Sequence, residues 1–126
     1  ICYDLRFAEL ARSLALSGAK VLFIPAEWPR QRTEQLRTLL SARAIENQMF
    51  AALCNGCGEA YGTEFGGSSA IVDPLGNVLA QAGSDEETIY AEIDLAMQDQ
   101  VRKDLPVFLD RRPELYDPIS HTLDRQ

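Results

Sequence analysis

The sequence has few of the residues on which most catalytic mechanisms depend. Its 126 residues include one histidine, His121, and two lysines, Lys20 and Lys103. The sequence therefore offers few residues that could serve as a histidine base or as the ligands of a metal site. The three cysteines are an odd number, which argues against a disulfide framework and favours a reducing compartment. We expect a cytoplasmic protein with no metal site.

Basic clusters and long apolar runs are also lacking. The net charge is −7, from 19 acidic and 12 basic residues. This balance argues against nucleic-acid binding and against attachment to an anionic membrane. No apolar run approaches the roughly 20 residues of a membrane-spanning helix. With 46% hydrophobic and 25% charged residues, the composition is that of an ordinary soluble globular domain, and we expect neither nucleic acid nor membrane as a partner.

The spacing of apolar residues predicts alternating helices and strands. We expect Ile1 to end a buried strand that lies parallel to a fully buried strand at 20–25. The remaining predictions are helices at 5–17, 33–47 and 95–104, strands at 48–54 and 88–94, two strands within 68–83 joined by a turn at 74–76, an irregular glycine-rich loop at 55–67, and an extended arm from 105.

Cys2 is the first candidate for chemistry. It lies between the predicted strand that ends at Ile1 and a helix for which Asp4 is a good N-cap. In open α/β sheets this edge is where ligands bind, and the N–H groups of a helix start favour a thiolate. A free cysteine is more often a small buried apolar residue, and a cysteine–histidine pair would require His121 in the tail.

The loop that follows strand 20–25 places Glu27 and Trp28 near Cys2 in this interpretation. They form a substrate wall, or else a solvated charge and a ring that covers the sheet edge. Cys54 and Cys57 form a C-x-x-C sequence, which is typical of a redox pair or half a zinc site. Because this sequence ends a strand instead of opening a helix, two packed or loop thiols explain it better.

Several motifs together resemble the nitrilase superfamily of carbon–nitrogen hydrolases, in its omega-amidase-like branch. In chain order they read "ICYDLRF", "IPAEWP", "ARAIENQ", "FGGSSAIVDPLGNVLAQAG" and "LPVFLDRRPELY". Two positions depart from the family pattern. Ala8 stands where the family usually has proline, and Glu27 stands where it often has asparagine. The second departure concerns the substrate more than the reaction.

This resemblance implies the fold and the assembly. It implies an α/β fold in which residues 1–126 are the C-terminal half of one carbon–nitrogen hydrolase domain, a four-layer αββα sandwich. It also implies a homodimer or a larger homo-oligomer that forms through the helices near 5–17 and 33–47.

The resemblance implies the chemistry as well. Cys2 is the nucleophile of a glutamate–lysine–cysteine triad, with the glutamate and lysine N-terminal to it, and the backbone N–H of Tyr3 stabilises the oxyanion. Glu27 and Trp28 contact a small amide, which loses ammonia through a thioester, without a cofactor. The rival readings are a non-catalytic interaction module and a thiol-redox protein that uses Cys54 and Cys57.

Overall fold

The structure is a computed structural model, and it describes residues 1–116. Its helices are α1 (Ala8–Leu16), α2 (Thr33–Asn47) and α3 (Leu95–Asp104), with short 3-10 segments at Cys2–Arg6, Arg30–Arg32 and Pro113–Leu115. Its strands are β1 (Val21–Ala26), β2 (Phe50–Asn55), β3 (Cys57–Ala60), β4 (Thr63–Gly66), β5 (Ala70–Val72) and β6 (Val78–Gln81). The helices predicted at 33–47 and 95–104 are confirmed.

Four strands form a mixed sheet in the order β1-β2-β5-β6. β1 and β2 are parallel, and α2 is the crossover helix that such a connection requires. β5 and β6 form the predicted antiparallel pair, in which Asp73 Oδ1 accepts hydrogen bonds from the N–H groups of Leu75 and Asn77 in the turn.

The main core lies between α2 and one face of this sheet. Leu36, Leu40 and Ala44 of α2 are buried against Leu53 of β2 and Val72 of β5. They recur at intervals of four, so they lie on a single stripe of the helix. This packing aligns the carboxyl ends of β1 and β2 under the first turn of the chain.

The opposite face of the sheet is open in the described part of the chain. Ile24 and Ala26 of β1 are buried, whereas Phe23 is 74% exposed and Pro25 is exposed as well. The expectation of a fully buried strand at 20–25 is therefore wrong. Ile1 is 79% exposed and outside any strand, so α2 rather than α1 is the crossover of the parallel unit.

Two further predictions, the loop at 55–67 and the strand at 88–94, are wrong because strand formation depends on a pairing partner. The glycine-rich stretch at 55–67 folds into the hairpin β3–β4, whose two-residue turn has positive φ at Tyr61 (53°) and Gly62 (74°). Positive φ at both central residues defines a type I′ turn. The alternating stretch at 88–94 pairs with no strand within residues 1–116, and its Tyr90 is 84% exposed.

The first predicted helix is interrupted at Phe7, whose extended ψ of 105° separates the 3-10 segment from α1. None of the helices within residues 1–116 is long and apolar enough to cross a lipid bilayer.

The C-terminal part packs against the end of α2. Gln48 caps that helix in a left-handed conformation, and its carbonyl oxygen accepts hydrogen bonds from Gln98 (3.0 Å) and Arg102 (3.2 Å). The guanidinium groups of Arg12 and Arg102 both lie over the Phe108 ring. Burial lowers the pKa of both arginines from the ordinary value, and nearby carboxylates partly oppose this shift.

Candidate active site

Cys2 occupies a strained turn at the start of the first 3-10 segment. Its φ is +48°, in the left-handed region that residues with a side chain seldom adopt. Such strain concentrates at functional sites, and the sharp turn resembles the elbows that present nucleophiles in α/β-hydrolases. Tyr3 follows in the first turn, where backbone N–H groups have no carbonyl partner within the helix.

Three contacts from other elements hold this turn. The backbone N–H of Glu27 points at the Cys2 Sγ at 3.5 Å, and Trp28 Nε1 donates to the Cys2 carbonyl oxygen at 3.3 Å. At the other end of the segment, Arg43 Nε donates to the Leu5 carbonyl oxygen at 3.1 Å. The Cys2 thiol is therefore placed by the loop after β1, while α2 anchors its segment.

A cleft of about 450 Å³ opens beside Cys2. It lies where β1 and β2 end, at the carboxyl edge at which α/β sheets bind ligands. Its lining comprises Ile1, Cys2, Pro25, Ala26, Glu27, Cys54, Asn55 and Gly56. Two thiols and one carboxylate thus face a space large enough for a small organic molecule.

The structure separates the two residues predicted as a substrate wall. Glu27 is exposed and lines the cleft. Trp28 is only 4% exposed and packs in the core, with the Arg6 guanidinium 4.2 Å from the centre of its ring. In the described structure Trp28 contacts the backbone of Cys2 from behind the cleft, and contact with a substrate stays a prediction.

The C-x-x-C pair divides between two elements. Cys54 is exposed at the end of β2 and lines the cleft, whereas the half-buried Cys57 begins β3. Both are free thiols, and neither opens a helix, which is where redox pairs usually lie. Within residues 1–116, no group of three histidine, cysteine or acidic side chains is placed to hold a metal ion.

Other candidates lie away from the cleft. Lys20 pairs with Asp99 at 2.8 Å on the surface, and His121 is outside the described residues. Arg43 and Glu46, one turn apart on α2, form an ion pair at 2.7 Å. A larger cavity of about 810 Å³ lies between α1 and the C-terminal arm, but its lining contains no cysteine. The chemistry therefore points to the smaller cleft.

Asn55 was not singled out by the sequence. It is 6% exposed, and its side-chain amide joins Trp28 to Gly67. A polar residue directly after the buried run of β2 was the available signal. The partners of that side chain were not visible, since they lie 27 and 12 positions away.

Among known protein families, the one described as carbon-nitrogen hydrolase has a profile that matches residues 1–103. The chain belongs to the carbon–nitrogen hydrolase family. The predicted family is confirmed, and the match includes Cys2, the cleft and all six strands.

Among curated relatives of this chain, a 2-oxoglutaramate amidase of Bacillus subtilis is 52% identical over 116 residues, which cover 92% of this chain and 45% of the relative. A carbon–nitrogen hydrolase structure from Helicobacter pylori superposes with a TM-score of 0.92 at 30% identity, covering 98% of this chain and 48% of that one. The predicted α/β fold of the nitrilase type is confirmed. The chain spans about half the length of these relatives.

A third match concerns an enzyme with a modified cysteine. It is a mutant amidase from Nesterenkonia that shows covalent addition of the acetamide moiety of fluoroacetamide at its active-site cysteine. The TM-score is 0.76 at 33% identity, with 91% of this chain and 40% of that chain covered.

Proposed function

We propose that this protein is an amidase that releases ammonia from a small amide through a thioester on Cys2. The observation that carries the proposal is the left-handed turn that presents the Cys2 thiol to the cleft at the carboxyl edge of the sheet. The cysteine adduct of the Nesterenkonia amidase and the name of the Bacillus subtilis relative both support an amide as the substrate class.

The reaction proceeds in two halves. A general base takes the proton from the Cys2 Sγ, and the thiolate attacks the amide carbon to give a tetrahedral oxyanion. This intermediate collapses, the amine takes up a proton, and ammonia leaves, with the acyl group held as a thioester. Water, activated by the same base, then releases the carboxylic acid and restores the thiol.

The donors for the oxyanion come from two places. The backbone N–H of Tyr3 is one, because it lies beside the nucleophile in the first turn, and preorganised donors of this kind strongly stabilise such intermediates. The family resemblance implies that a lysine is the other and that a glutamate is the base, both N-terminal to Cys2. Residues 1–126 are then the C-terminal part of a single hydrolase domain.

Substrate binding falls first to Glu27. Its carboxylate lines the cleft, and its own backbone N–H faces the Cys2 Sγ, so a substrate that reacts with the thiol lies within reach of Glu27. Trp28, which follows Glu27 in the same loop, is proposed as a second substrate contact.

A homo-oligomer in the cytoplasm completes the proposal. α1 exposes Leu10 (44%) and Leu14 (41%) along one stripe, and α2 exposes Ile45 (51%). Exposed apolar rows of this kind favour a protein interface. Sedimentation of the full-length protein should give a dimer or a larger species, and a monomer at micromolar concentration would contradict this part.

The activity is tested with the full-length protein and a small amide such as 2-oxoglutaramate. Ammonia release should disappear in Cys2→Ala and persist in Cys54→Ala and Cys57→Ala. Peptide mapping by mass spectrometry after incubation with fluoroacetamide should place the adduct on Cys2. An adduct on Cys54 or Cys57, or full activity in Cys2→Ala, would overturn the proposal.

A further inference from the structure

We propose that Asn55 is the positioning residue for the nucleophile: its side-chain amide fixes the loop that places the Cys2 thiol. The inference rests on the proposed function in taking Cys2 as the nucleophile. The hydrogen bonds of the Asn55 amide go to Trp28 and Gly67 and not to Cys2, so its effect passes through Trp28 and the neighbouring Glu27.

The side chain of Asn55 accepts one short hydrogen bond and donates another. Its Oδ1 accepts from the backbone N–H of Trp28 at 2.7 Å. Its Nδ2 donates to the carbonyl oxygen of Gly67 at 2.8 Å. The residue ends β2, and the hydroxyl oxygen of Ser69 accepts from its backbone N–H at 3.0 Å. The backbone of Asn55 is thus fixed at the sheet edge, and its side chain hydrogen-bonds the segments that contain Trp28 and Gly67.

Backbone hydrogen bonds make those segments a single layer. The N–H of Gly56 donates to the carbonyl of Ala26 at 2.8 Å, and the N–H of Gly67 donates to the carbonyl of Gly56 at 2.9 Å. The N–H of Gly66 donates to the carbonyl of Trp28 at 3.0 Å. The Asn55 side chain lies buried inside this layer and joins its two outer segments.

The same loop contacts Cys2 twice. The Glu27 N–H lies 3.5 Å from Sγ, and Trp28 Nε1 lies 3.3 Å from the Cys2 carbonyl oxygen. Since Asn55 holds the Trp28 backbone directly, a shift of this anchor moves both contacts together. Because this loop places the thiol at the cleft, the anchor affects how readily Cys2 reacts as well as where it lies.

Only an amide satisfies both partners of Asn55. One partner is an N–H donor and the other is a carbonyl acceptor, so the side chain must accept at one atom and donate at the other. An aspartate in its place would set an oxygen against the Gly67 carbonyl oxygen. A serine is too short to reach both groups at once.

The test compares Asn55→Asp and Asn55→Ser with Asn47→Ala in the full-length protein. Asn47 is a matched control, because it is also buried and its Nδ2 donates to the backbone carbonyl of Arg43 at 2.9 Å, away from the cleft. The measurements are kcat and KM for the amide, the thermal unfolding midpoint, and the rate of Cys2 alkylation by iodoacetamide at a fixed pH, followed by peptide mass spectrometry.

We expect both Asn55 variants to lose kcat by about 10- to 100-fold with little change in KM, the range that a displacement of about 1 Å produces. Cys2 alkylation at a fixed pH should slow, because the loop no longer holds the thiol at the cleft. Asn47→Ala should lower the unfolding midpoint and leave both readouts unchanged. If one Asn55 variant does not fold, the other decides.

Wild-type kcat and a wild-type alkylation rate in a folded Asn55 variant would overturn the inference, as would the same slowing of alkylation in Asn47→Ala. Failure of the proposed function is a different result, namely full amidase activity in Cys2→Ala. The alkylation rate then still tests the positioning of Cys2 by Asn55, because it requires no amide turnover.

Discussion

The indole Nε1 of Trp28 donates a hydrogen bond to the carbonyl oxygen of Cys2 over 3.3 Å. A large buried side chain from the loop after β1 thereby contacts the backbone of the candidate nucleophile. The ring also packs in the main core and under the Arg6 guanidinium. The position of Cys2 is thus coupled directly to core packing.

Trp28→Phe tests this coupling. The phenyl ring keeps an aromatic surface for Arg6 but removes the Nε1 donor, so the Cys2 carbonyl loses its partner. We expect a loss of about 1–3 kcal/mol in the free energy of unfolding, measured by urea denaturation of the full-length protein. Cys2 alkylation should slow as well. The exposed-site control is Tyr90→Phe, and equal alkylation rates in the two variants would refute the coupling.

Arg43→Met removes the anchor of the first 3-10 segment. The Arg43 side chain is 6% exposed, and it bonds both the Leu5 carbonyl and the Glu46 carboxylate. Because methionine retains the apolar stem, the change isolates these bonds. We expect the free energy of unfolding to fall by roughly 1–3 kcal/mol.

Arg37→Met is the control for that variant. The Arg37–Glu34 pair has side chains 42% and 86% exposed. Its removal should cost less than about 1 kcal/mol, as exposed ion pairs generally contribute little. Equal losses for the two arginines, by chemical denaturation, would contradict a buried anchoring role for Arg43.

Tyr61→Asn should stabilise the β3–β4 hairpin. Tyr61 is fully exposed, and its φ of 53° is one that asparagine adopts more readily. The variant recovers part of the roughly 1–2 kcal/mol that a left-handed conformation costs. Tyr90→Asn, at another exposed tyrosine, should bring no such gain. A lower unfolding midpoint for Tyr61→Asn would count against the type I′ turn.

Residues 1–126 expressed alone should hydrolyse no amide, even with Cys2 intact. The family resemblance places the base and the lysine N-terminal to Cys2, and losing members of such a unit costs several orders of magnitude in rate. The open sheet face with Phe23 also favours aggregation of the isolated chain. Ammonia release by the isolated chain, in a coupled assay, would exclude this assignment of the triad.

The local spacing of apolar residues was sufficient to predict helices that bury a single stripe of side chains. α2 begins and ends at the predicted residues, because Leu36 and Leu40 mark its buried face and Thr33 its start. The same spacing was insufficient for strands, because their burial and pairing depend on neighbouring segments of the chain. The run at 20–25 suggested a strand buried on both faces, yet Phe23 is exposed, since nothing in the described chain covers that side. Only the pairing of β3 with β4 distinguishes a hairpin from a glycine-rich loop.

The site divides in the same way. The positions of Cys2 and Glu27 at the sheet edge were predictable, because a cysteine beside a helix start is a local signal and Glu27 follows the adjacent strand. Their roles stay predictions. The burial of Trp28 and the bridging contacts of Asn55 depend on segments far apart in sequence. Such contacts become visible only once β1 and β2 lie side by side.

The φ of +48° at Cys2 has an evolutionary consequence. Glycine adopts this conformation without steric penalty, so replacing the cysteine with glycine relieves backbone strain while it abolishes the thiol. If the proposed catalysis is no longer under selection, a lineage therefore has a stabilising route to losing the candidate nucleophile. The reverse step restores the thiol only by accepting the strain again, so a descendant that has lost the thiol in this way regains it with difficulty.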